Sequence, residues 1–134
     1  MAAANGVGQS AAPTTSGRDL RALLRDLITV EHVRGGLIVA PDGLVIASEL
    51  PSHVPVEALS ALAATLGREL EVRGPRLRRG SFLMANFAAG DGTVFLGGTP
   101  VGFILLLADS EANRERIRHA MRGAIDAVRQ AWKR

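Results

Sequence analysis

The shortness of the polar breaks in the second half of the chain constrains its fold more than any other feature. Apolar runs at Ser81 to Phe87, Thr93 to Leu96 and Val101 to Leu107 are parted only by Ala89-Gly90-Asp91-Gly92 and Gly97-Gly98-Thr99-Pro100. A parallel neighbour needs a crossover of a dozen residues or more, which breaks of this length cannot supply. The three runs must therefore form an antiparallel meander. Upstream, Leu37-Ile38-Val39 and Leu44-Val45-Ile46 flank Pro41-Asp42-Gly43. Proline presets an early turn dihedral and glycine accepts a positive one late in the turn. That pattern predicts a β-hairpin.

Three helices fill the remaining chain. Leu20, Leu23, Leu24, Leu27 and Ile28 form one stripe, with Ser16 as the expected cap and Asp19 completing a capping box. A middle helix is expected from about Val54 to Arg73, with Pro55 in its first turn and Gly74-Pro75 as its stop. The last helix is expected after a Ser110 cap, with the stripe Ile117, Met121, Ala124, Val128 and Trp132. The fold class is α+β: a five-stranded antiparallel sheet with helices on both faces, in the order α-β-β-α-β-β-β-α. One domain spans 17–134. Residues 1–16 are Ala, Gly, Ser, Thr and Pro without periodicity and are expected to be a disordered tail.

Composition removes several chemistries. Without cysteine there is no disulfide, thiolate metal site or cysteine nucleophile. The first residues lack a basic and apolar signal, and no apolar run approaches the roughly 18 residues of a membrane span, so a cytoplasmic protein is expected. The net charge is +3 although the pI is about 10.9, because Lys133 is the only lysine and the other basic residues are arginine. Such an arginine- and alanine-rich composition is that of a high-GC bacterial genome. His32, His53 and His119 are scattered, with no carboxylate or second histidine at ligand spacing, and are expected at the surface. There is neither a GxSxG elbow nor a P-loop. Gly35-Gly36 and Gly97-Gly98 are expected to form turns or bulges. No metal or cofactor site and no catalytic residue are expected.

Arginines gather in two places: Arg73, Arg76, Arg78 and Arg79 after the middle helix, and Arg114, Arg116, Arg118, Arg122 and Arg129 in the last helix. A nucleic-acid surface would pair such patches with exposed aromatics. The chain has only four Phe and one Trp, most at core positions, so the patches are read as solvated charge and no nucleic-acid partner is expected. The first patch could alternatively meet an acidic protein surface or anionic lipid.

The middle helix has two faces. Val56, Leu59, Leu62, Ala63, Leu66 and Leu70 are expected to hold it on its own sheet. Ala58, Ala61, Thr65 and Val72 lie opposite, bordered by Arg68 and Glu69. Small residues there would let a second helix approach closely, although alanine is also simply the best helix former. The run Phe82-Leu83-Met84 has no lysine or proline, so at a sheet edge it would be open to pairing.

The hairpin LIVAPDGLVIAS, following a leucine-striped helix, and the middle-helix segment EALSALAATLGREL resemble the Roadblock / dynein light-chain 7 family over about residues 18–130. The resemblance departs from common members at His32-Val33 and at Ala40. It implies a Roadblock / profilin-like architecture and a homodimer whose second helices pack antiparallel. It also implies that the third strands pair, through Phe82, Leu83 and Met84, into one continuous sheet. The implied partner is a small Ras-like GTPase, bound through Ala58, Ala61, Thr65, Arg68, Glu69 and Val72. Hydrolysis is then promoted by ordering the switch regions, without an inserted catalytic residue. Fold alone leaves two other readings open: a small-molecule sensor domain and a structural subunit of a larger assembly.

Overall fold

A computed structural model describes residues 17–77 and 83–132. The tail 1–16 with its expected cap Ser16, as well as Arg78, Arg79, Ser81 and Phe82, lies outside the described residues. The elements are α1 (Gly17–Ile28), β1 (Val33–Val39), β2 (Val45–Glu49), α2 (Val56–Arg73), a 3₁₀ turn (Gly74–Leu77), β3 (Met84–Ala89), β4 (Gly92–Thr99), β5 (Gly102–Asp109) and α3 (Arg114–Trp132). The strands form one five-stranded sheet in the order β2-β1-β5-β4-β3, every neighbouring pair antiparallel. The expected hairpin and meander are both present, and β2 and β3 are the two edges.

The inner strands β1 and β5 are nearly continuous apolar runs because both of their faces are covered. Leu37, Val39, Phe103 and Leu105 face α2, while Ile38, Ile104 and Leu106 face α1 and α3. Side chains alternate across a strand, so one run supplies two cores. On one side, Leu20, Leu24 and Leu27 of α1 and Ile117, Met121, Ile125 and Val128 of α3 close over Phe95. On the other side, α2 is the one helix among the described residues.

The hairpin forms as its turn residues dictate. Gly43 adopts φ 95°, its amide donates to the Ala40 carbonyl at 2.8 Å, and the Asp42 carboxylate accepts the Leu44 amide at 3.0 Å. Leu44, placed in β2 by its hydropathy, precedes the strand and is exposed.

Other boundaries moved for identifiable reasons. Gly97, Gly98 and Thr99 belong to β4, and the reversal falls at Thr99 to Gly102. There the buried Thr99 hydroxyl accepts the amides of Val101 and Gly102, each at 3.2 Å. Asn113 caps α3 in place of Ser110, its side-chain oxygen accepting the Arg116 amide at 3.1 Å. Trp132 is exposed, while Ile125 and Ala131, outside the expected stripe, are buried. Gly74 does not end α2 with a left-handed residue; at φ −54° it carries the chain into the 3₁₀ turn.

Candidate interaction surface

Helix α2 approaches the sheet through small residues. Ser60, Ala63, Ala64 and Gly67 are its buried positions, with Leu59, Leu66 and Leu70 packed beside them. A Cβ on Gly67 would lie 2.6 Å from two ring carbons of Phe103. Glycine within a helix costs about 1 kcal/mol relative to alanine, so its presence here marks a close approach. The centre of the inner face is thus rotated away from the leucines. Leu62, expected to be inside, lies 46% exposed. The correction follows from geometry: at about 100° per residue, Leu62 sits some 200° from Ser60.

The outward face contains every residue singled out for it. Ala58, Ala61, Thr65, Arg68, Glu69 and Val72 are all exposed, Val72 by 61%. Leu62 joins them, a contribution that hydropathy had assigned to the core. Glu69 and Arg73 pair with each other at 2.7 Å, one turn apart. Arg68 is less free than its position suggests, because its guanidinium donates to the Pro41 carbonyl and ties α2 to the β1–β2 turn. Between that turn and the helix lies a cleft of ≈ 300 Å³, lined among others by Asp42, Gly43, Glu57, Ala61 and Thr65. Arg76 falls in the 3₁₀ turn, whereas Arg78 and Arg79 are outside the described residues.

At the sheet edge, β3 reads MANFAA, with neither charge nor proline. Leu83 precedes it, its carbonyl accepting the Gly98 amide at 3.0 Å, and Met84 packs into the core under α1 and α3. Phe82 lies outside the described residues. Phe87 pairs with Val94 on the α2 side of the sheet and is partly exposed.

A second polar cluster joins the start of β1 to the end of β5. His32, with φ 72°, places Nδ1 3.1 Å from Asp109 Oδ1, and Arg34 Nη2 lies 2.6 Å from Oδ2. The Glu111 amide also donates to Oδ1 at 2.9 Å. Partial desolvation pushes the Asp109 carboxyl upward. Hydrogen bonds from His32, the Glu111 amide and Arg34, with the charge of His32, outweigh it and hold the carboxyl below its ordinary value. No local pattern signals this partnership, because 77 residues separate the two groups. His53 and His119 are exposed. Among the described residues no three ligand-type side chains gather, and no helix is long and apolar enough to cross a membrane.

No protein-family model matches the sequence. The chain is 28% identical over 107 residues to the uncharacterized protein MJ0310 of Methanocaldococcus jannaschii, covering 80% of this chain and 94% of that one. Its structure is similar to a Roadblock/LC7 domain from Streptomyces avermitilis, with a TM-score of 0.73 at 20% identity over 85% of this chain and 98% of the other. Myxococcus xanthus MglB superimposes with a TM-score of 0.76 at 12% identity, covering 85% and 94% of the two chains. Element order, an antiparallel five-stranded sheet and agreement along nearly the whole of both solved domains lead to one conclusion: this chain has the Roadblock/LC7 fold.

Proposed function

We propose that this protein is a cytoplasmic, homodimeric regulator or scaffold that binds a small Ras-like GTPase and contributes no catalytic residue of its own. The observation that carries this reading is the two-sidedness of α2. Its inner face closes on the sheet with small residues, and its outer face presents Leu62 and Val72 among Ala58, Ala61 and Thr65. Large apolar groups set among small ones on an exposed helix suit close packing against another helix, with Arg68 and Glu69 at the rim. The uncharged edge strand β3 supports the dimer as well, since pairing with a second copy would occupy its free backbone groups. The GTPase assignment draws on the family resemblance. Ordering a partner's switch segments around its γ-phosphate accelerates hydrolysis by positioning alone.

The test is retention of a GTPase from lysate by the purified protein, with GDP in one arm and a non-hydrolysable GTP analogue in the other. Retention of a Ras-sized protein with the analogue only is expected, followed by faster hydrolysis when the two are mixed. Capture that ignores the nucleotide would instead make the chain a structural subunit, and no GTPase in either arm would end the reading.

A further inference from the structure

Helix α3 leaves the last strand of the sheet uncovered. It sits over β4 at Gly97, where a Cβ would lie 2.9 Å from Ile125 Cδ1 and 3.2 Å from Met121 Sδ. Gly97 pairs with Met84 of β3, which packs into the same core. Residues two apart on a strand share a face, so Asn86 and Ala88 lie on the α3 side with Met84, and both are exposed. A trough therefore runs beside α3 with β3 as its floor. At one end Arg114 and Ala88 line a common cleft of ≈ 320 Å³.

The α3 wall of that trough is positive. Arg116 points the other way, reaching Glu31 behind α1 at 3.9 Å. At 3.6 residues per turn, Arg114, Arg118, Arg122 and Arg129 fall on the opposite flank, the one toward β3. The first three are exposed and Arg129 is half-buried. Only Arg118 has a carboxylate close by, Glu115 at 3.3 Å. Among the described residues none lies within ion-pair distance of Arg114, Arg122 or Arg129. Arginines one turn apart repel, and Arg114 opens the helix, where the macrodipole disfavours a cation. Positive charge is thus collected against local electrostatics along about 22 Å of helix.

We infer that this trough binds an extended acidic segment of a partner protein, its carboxylates meeting the α3 arginines and its chain lying over Asn86 and Ala88. Guanidinium groups match carboxylates in bidentate geometry, and a row of them on one wall suits side chains that alternate along an extended chain. A bilayer fits less well, because the arginines flank a depression and not a flat or convex surface. A nucleic-acid strand fits less well too, because among the described residues the floor has no aromatic side chain for stacking. The surface lies on the opposite side of the sheet from α2. Pairing of β3 with a second copy would use the strand's edge, so this site and the proposed dimer are compatible.

The test is fluorescence anisotropy with a labelled peptide of alternating Glu and Thr, about eight residues long and so able to span the trough. Saturable binding that weakens with salt is expected, with no binding of the peptide carrying Gln for Glu. The double variant Arg118→Gln, Arg122→Gln should bind about tenfold more weakly at unchanged thermal stability, whereas Arg21→Gln, at an exposed position of α1, should bind normally. Equal affinity of the double variant, or no saturable binding, overturns the inference. Stronger arginine-dependent binding of phosphatidylserine vesicles or duplex DNA than of the peptide would overturn it in favour of a lipid or phosphate-backbone ligand. Light scattering on the same samples tests the dimer separately, so either idea can fail alone.

Discussion

The two faces of the sheet are closed by opposite means. On the α1/α3 side, large side chains fill the space: Leu24, Phe95, Ile117, Met121 and Ile125 are essentially inaccessible. On the α2 side, a single helix is drawn close by Ala63, Ala64 and Gly67, and the bulk comes from the strands, with Phe103 directly beneath the glycine. A face filled by large groups fails when atoms are removed. A face closed by small groups fails when atoms are added, since interiors have no spare volume. The second solution also leaves Leu62 and Val72 exposed on α2, the one helix on that side among the described residues.

Ile117→Ala should be the most damaging of four substitutions that probe this contrast, costing about 4 kcal/mol by truncation of a fully buried side chain. Gly67→Val should follow at about 3 kcal/mol, through overpacking against Phe103. Urea unfolding measures both, and a neutral Gly67→Val would dissolve the contrast between the faces.

Asp109→Asn examines the polar cluster that ties β1 to β5, with a sign set by its lowered pKa. A depressed carboxyl stabilises the fold above its unfolded value, near 3.8, and loses that contribution as pH falls through the lower folded one. The variant should therefore show a flatter loss of stability on acidification below about pH 4 than the parent protein. An unchanged acid limb in urea titrations would remove Asp109 from the account.

The smallest stability effect belongs to Ala61→Arg, within about 0.5 kcal/mol, because the position is exposed. Its consequence should be seen in solution mass instead, as loss of the proposed dimer in light scattering. A folded, still dimeric Ala61→Arg would move the interface away from the outer α2 face.

Much of this architecture is legible along the chain. Short breaks force antiparallel neighbours, and Pro41-Asp42-Gly43 specifies its own turn, so hairpin and meander follow from local chemistry. The α1 stripe is equally plain, since three of its five leucine and isoleucine positions are buried and two are half-buried. The α2 face was harder to read. Its leucines and alanines spread around the helix, and hydropathy ranks Leu62 above Gly67 although Gly67 is the one inside. A ring contributed by β5, 36 residues later, decides that order. Trp132 misleads for the related reason that a periodic stripe does not say where its supporting sheet ends.

The sequence alone determined the element types, their order, the antiparallel pairing of consecutive strands and the absence of cysteine chemistry, because each depends on residues close together or on composition. Which strands form the edges, which side of α2 Leu62 takes, where Asp109 finds His32 and Arg34, and which arginines line the trough beside β3 were decided only by tertiary structure. Those properties depend on packing between segments distant in sequence, where volume and electrostatic fit act on pairs that no local pattern encodes.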